Sequence, residues 1–134
     1  MVNIKSEKKE IHSPAGLLFS FLSDFNNFQD LMPEQIVNWK SENDSCSFTI
    51  KGMSDINMKI KEKIFPEKIK IISHGKNLFT FELLCFVDYK NENSSMVCLH
   101  FNAELNPMLA MMTKKPLQNL VNIMIEKLQE KFKI

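Results

Sequence analysis

Between residues 17 and 25 the apolar side chains recur at helical spacing, as Leu17, Leu18, Phe21, Leu22 and Phe25. Ser13-Pro14 just upstream predicts a helix start, with Ser13 as N-cap and Pro14 at the first helical position. Ser23-Asp24 predicts a second short helix that ends near Met32-Pro33. Residues 2 to 11 alternate weakly and predict an edge strand ahead of both.

The period then falls to two. Cys46, Phe48 and Ile50 alternate with Ser45, Ser47, Thr49 and Lys51. Ile56, Met58, Ile60 and Ile64 alternate with Asn57, Lys59, Lys61 and Lys63. Phe79 to Val87 and Val97 to Leu105 each read as a strand with one apolar face. Turn-like separators stand at Asn43-Asp44, Gly52 to Asp55, Pro66-Glu67, His74 to Asn77 and Asn91 to Ser95. Connections this short predict antiparallel hairpins and meanders. After Asn106-Pro107 the helical period returns, with Leu117, Leu120, Val121, Met124, Leu128 and Phe132 in one stripe. That helix is about 25 residues, roughly 37 Å long, and is expected to break or kink at Pro116.

The order is one strand, two short helices, about six more strands and a long helix. This is an α+β arrangement: an antiparallel sheet of about six to seven strands with helices on one side. A twisted sheet of that size curls. The last helix must bury its stripe, and the sheet's inner face is the only large apolar surface available to it.

Composition narrows the function. The chain has 134 residues, which predicts a single domain over 1–134. It is 44% apolar and 25% charged, with eleven Phe and nine Met. No apolar run is long enough to span a membrane, and residues 1 to 10 lack the apolar core of a signal peptide, so a cytoplasmic location is expected. The net charge is +1, and all 17 basic residues are Lys. Without Arg there is no planar fork for bidentate contacts to phosphate or carboxylate. Nucleic acid is therefore not expected as a partner. Cys46, Cys85 and Cys98 are odd in number and have no C-x-x-C spacing, which predicts free thiols.

Candidate chemistry is sparse. His12, His74 and His100 have no metal-like spacing, and no G-x-S-x-G elbow occurs, so neither a metal, a cofactor nor a hydrolase triad is expected. Glu62 is in phase with Ile56, Met58, Ile60 and Ile64. On a regular strand it would face the apolar side as a polar anchor or general acid; a bulge or a lysine partner would instead hold it in water. Lys59, Lys61, Lys63, Lys68 and Lys70 belong to one hairpin around Pro66. Alternation gathers the first three on an outer face, where a transient contact with a membrane surface is open to them. Leu84 and Phe86 also face outward, which hints at a monomer or a weak homodimer.

The stretch "SPAGLLFSFLSDFNNFQDLMP" at 13 to 33 resembles the opening helices of the START-like, or SRPBCC, superfamily, which includes the birch-pollen allergen. Leu22, Asp24, Asn27 and Pro33 stand where that pattern expects them. "LNPMLAMM" looks like the entry to the final helix of small bacterial members. The resemblance implies a helix-grip fold, with the sheet wrapped around the C-terminal helix over a deep apolar cavity. It implies a small hydrophobic ligand such as a lipid, quinone or polyketide. The alternatives are a polyketide cyclase or dehydratase, or a co-chaperone-like interaction module without ligand. On that fold Met108, Met111 and Met112 would lie at the cavity mouth. The ligand wall would be drawn from Trp39, Phe48, Ile60, Glu62, Phe79, Phe81, Leu83, Phe101, Met108, Met112, Leu120 and Met124. No catalytic residue is assigned, and the chain lacks the Arg and the glycine-rich loop found in some branches.

Overall fold

A computed structural model of the chain describes residues 2–133. The strands are Val2–Lys5 (β1), Lys9–Ile11 (β2), Ile36–Ser41 (β3), Ser45–Ile50 (β4), Ser54–Ile64 (β5), Lys68–Ser73 (β6), Phe81–Asn91 (β7) and Ser94–Ala103 (β8). They form one antiparallel sheet in the order β1-β8-β7-β6-β5-β4-β3, with β2 also paired to β8. Sequence-adjacent strands from β3 to β8 are neighbours, as short turns require. The N-terminal segment closes the far edge. It breaks into two strands at Ser6, whose Oγ accepts from the Leu99 amide at 2.9 Å while its own amide donates to the Leu99 carbonyl at 2.8 Å. This break raises the expected six or seven strands to eight.

Helix α1 spans Ala15–Leu22, so Pro14, expected inside the helix, stands just before it. Leu18, Phe19 and Leu22 are buried, whereas Leu17 turns to solvent and drops out of the expected stripe. A 3₁₀ helix follows over Phe25–Leu31, and the Asp24 carboxylate caps it by accepting from the Asn26 amide at 2.9 Å. Phe25 and Phe28 are fully buried and meet edge to face at 5.0 Å.

Helix α2 spans Pro107–Lys131. Asn106 caps it by accepting from the Leu109 amide at 2.9 Å, and Pro107 fills the first turn, where its missing N–H costs nothing. Its buried stripe is Thr113, Leu117, Leu120, Val121, Met124, Ile125 and Leu128. The helix backbone lies against β1, β2, β8 and the 3₁₀ helix. Gln118 Nε2 donates to the Lys5 carbonyl at 2.8 Å, Gln129 Nε2 to the Glu10 carbonyl at 3.0 Å and Lys127 Nζ to the Met32 carbonyl at 2.7 Å. The expected break at Pro116 is absent: the helix runs through it, with the proline on the exposed side. The β4–β5 half of the sheet meets α2 across an interior that side chains bridge.

Candidate functional site

Where β4, β5, β7 and β8 face α2, a void of about 10 Å³ remains. That is on the order of a single water. Its lining is Met32, Phe48, Ile50, Ile56, Met58, Phe81, Leu83, Phe101, Leu117, Leu120, Val121 and Met124, all apolar side chains. The deep cavity implied by the resemblance is therefore filled in this conformation. The reason is ring and thioether bulk: Phe81 and Phe101 stack at 5.0 Å, and three methionines occupy the remaining space.

Of the expected wall, Phe48, Phe81, Leu83, Phe101, Leu120 and Met124 come together at this void. Trp39 sits one ring away, stacked on Phe48 at 5.2 Å. Phe79 packs on Phe81 at 5.9 Å, and Ile60 is half-buried against the core. Met108 and Met112 do not reach the interior. They are 72% and 67% exposed, and Met111 is 87% exposed. The first buried residue of α2 is Thr113, so the opening turns run beyond the packed core. Ile50, Ile56, Met58, Leu117 and Val121 also line the void, outside the expected wall, although each shares a face with one of its members. Met32, after the 3₁₀ helix, carried no such signal.

Glu62 does not face the apolar side, and the bulge and lysine partner that would hold it in water are both present. In β5 the register shifts between Ile60, which faces Ile71, and Glu62, which faces Lys70. Two residues of β5 then oppose one of β6, and the alternation inverts. Glu62 lands on the solvent face with Lys68 Nζ 3.7 Å from its carboxylate. Glu62 is half exposed and the pair is a long one, so Glu62→Gln should change the unfolding free energy by no more than about 0.5 kcal/mol. A larger loss in urea titration would mean a buried role. The same bulge scatters the expected lysine face. Lys59 lies opposite Ile72, whereas Lys63 lies opposite buried Ile69 and so on the other side of the sheet.

Leu84 and Phe86 lie on the outer face as expected, each half-buried, with Phe86 4.7 Å edge-on to His100. Burial, and then the charge of Lys5, holds the His100 pKa below its ordinary value. An open hollow of about 350 Å³ brings Cys46 and His74 onto one surface beside Lys40 and Glu42. Burial pushes the Cys46 thiol up to about 12, opposite to the activation a thiol nucleophile needs. Cys85 is likewise pushed up to about 12 by burial. Unfolded thiols ionise from an ordinary 9.0, so the two buried cysteines favour the fold below that value and lose this contribution as pH rises toward 12. The stability lost from pH 9 to 12 should shrink in Cys85→Ala, and in the folded protein a disulfide reagent should label half-buried Cys98 first. Faster labelling of Cys85 would refute both statements. Among the described residues no cluster of His, Cys, Asp or Glu could hold a metal ion, and no helix is long and apolar enough to cross a membrane.

No family model matches the chain, and a search of curated proteins finds no relative. Solved structures do match along its length. A START superfamily protein from Mycobacterium smegmatis aligns with a TM-score of 0.71 at 13% identity, covering 97% of this chain and 96% of that one. A protein from Thermus thermophilus gives 0.75 at 13% identity, covering 98% and 97%. Norcoclaurine synthase from Thalictrum flavum, in complex with dopamine and hydroxybenzaldehyde, gives 0.68 at 12% identity, covering 97% and 85%. At such identities the likeness is one of fold: a START-like helix-grip, with a curved antiparallel sheet, a long C-terminal helix and two short helices early in the chain.

Proposed function

From a START-like fold whose internal void is lined only by apolar side chains, we propose that this protein binds a small hydrophobic molecule between the sheet and α2. One observation carries the reading: Met32, Met58 and Met124 border a single void beneath the helix. Methionine has three rotatable bonds and a polarizable sulfur, so this wall can be rearranged at small cost. The void admits no guest as it stands; binding proceeds by rotation of these thioethers, and desolvation of the ligand drives it. The expected ligand is a lipid, quinone or polyketide-like compound. Three free cysteines support a reducing, cytoplasmic setting. The half-buried outer face at Leu84 and Phe86 supports a monomer or a weakly associating dimer.

Catalysis of the cyclase or dehydratase kind has less support, although one fold neighbour is a synthase. It needs polar groups converging on the substrate, and no titratable side chain lines this void. An interaction module without ligand gains support from the filled interior itself. Melting curves with fatty acids, quinones and aromatic polyketides separate the readings. Ligand binding predicts a raised Tm with at least one class. Native mass spectrometry of freshly purified protein should also detect a retained hydrophobic compound. A flat panel and a bare mass together favour the interaction module.

A further inference from the structure

One polar atom of a half-buried side chain is sealed without a partner. Trp39 Nε1 is sealed from solvent and has no hydrogen-bond partner in the protein, the only such buried side-chain nitrogen or oxygen among the described residues. A buried donor without an acceptor costs roughly 1–3 kcal/mol, so its persistence calls for an explanation.

Its placement comes from a local irregularity of the backbone. Between Val37, which faces Thr49, and Lys40, which faces Ser47, two residues of β3 stand against Phe48 alone. This is a β-bulge, and Asn38 adopts φ 58°, a left-handed conformation that Asn tolerates better than most residues. The extra residue turns Trp39 onto the face of Phe48, where the rings stack nearly parallel with an interplanar angle of 16°. Phe48 in turn borders the apolar void. In a regular β3 Asn38 alone would oppose Phe48. The bulge therefore stations the unpaired donor one ring removed, across Phe48, from a space that otherwise offers only carbon and sulfur.

We propose that the Trp39 indole N–H is the polar anchor of the ligand site, and that the ligand is a hydrophobic molecule bearing a carbonyl oxygen that accepts from it. This rests on the ligand-binding reading and deepens it, by assigning the guest a hydrogen-bond acceptor. The donor has no protein partner to give up, so the bond forms without breaking another within the fold and discriminates strongly between a ketone and the matching hydrocarbon.

The probes are 1-tetralone and tetralin, alike in shape and different in one carbonyl. Trp39 is the only tryptophan, so its fluorescence and its single indole N–H resonance report on the site directly. Wild-type protein should bind 1-tetralone about 5- to 100-fold more tightly than tetralin, the ratio expected for satisfying a buried donor. The indole proton should move downfield with the ketone only. In Trp39→Phe, followed by Tm shift, the preference should collapse to within about twofold while tetralin binding persists. Equal affinity of wild type for both probes overturns the anchor and leaves the ligand-binding reading standing; it is also the result expected if a bound water already satisfies the N–H. A preference that survives in Trp39→Phe overturns it too. Binding of neither probe to wild type overturns the anchor together with the interior as a site. If Trp39→Phe fails to fold, the indole resonance of the wild type decides alone.

Discussion

Met124→Ala should destabilise the protein by about 2–5 kcal/mol, the usual range for truncating a buried methionine. Met124 is 2% exposed, and it projects from α2 into the lining of the void beside Leu120 and Val121. The loss has two parts: the transfer of the thioether arm, and the cavity its neighbours fail to close. The second part makes the variant informative. The new cavity is lined by apolar groups and should stay dry, so a small apolar solute can fill it. Benzene at ten times its Kd should restore roughly 1.4 kcal/mol. Met111→Ala, on the exposed opening turns, should change stability by no more than about 0.5 kcal/mol. Urea titration of both variants, with and without benzene, measures all three quantities. A Met124→Ala protein that loses under about 1 kcal/mol would show that the interior collapses freely and has no shape to offer a ligand.

Pro116→Ala should act in the opposite direction. Proline inside a helix is about 3 kcal/mol less favourable than alanine, because it lacks the N–H and crowds the carbonyl four residues back. Here that carbonyl belongs to Met112, which is denied its helical donor. Pro116 is exposed, so alanine loses little packing. The unfolded chain gains freedom on losing a proline, which opposes the effect by about 0.4–1 kcal/mol. The net expectation is a gain of about 1–3 kcal/mol, seen as a higher urea midpoint at unchanged slope. Amide exchange over residues 107 to 115 should slow with it, as the opening turns gain the missing bond. An unchanged midpoint would mean that Met112 already has another donor and that the proline stores no strain in α2.

Much of this architecture could be read from periodicity. The stripe through Leu117, Leu120, Val121 and Met124 follows from 3.6-residue spacing, and Phe48, Phe81, Leu83 and Phe101 follow from alternation within their strands. Side chains that share one face converge wherever the two faces meet, so half of the chosen wall arrives at the void. The failures have a common origin in irregular backbone. A strict period of two would place Glu62 inside, and a single added residue in β5 inverts it. Nothing in the lysine-rich run around it marks that bulge. The bulge in β3 left one trace, an asparagine at the position that takes positive φ, which is too common a residue to betray it. Met108, Met111 and Met112 have the composition of a pocket wall, yet their exposure depends on where the packed core ends beneath α2. The size of the void depends on how the Phe and Met side chains interlock, a property of packing that no one-dimensional pattern carries.

The most direct test is a titration of protein carrying ¹³C-methyl methionine, read by two-dimensional NMR. Each of the nine methionines contributes one methyl signal, assigned by Met→Leu substitution. With decanoic acid and with a naphthoquinone as probes, saturable shifts should appear at Met32, Met58 and Met124 for at least one probe, while Met108, Met111 and Met112 stay in place. Shifts confined to those three exposed methionines, or no saturable shift with either probe, would contradict a ligand site beneath α2.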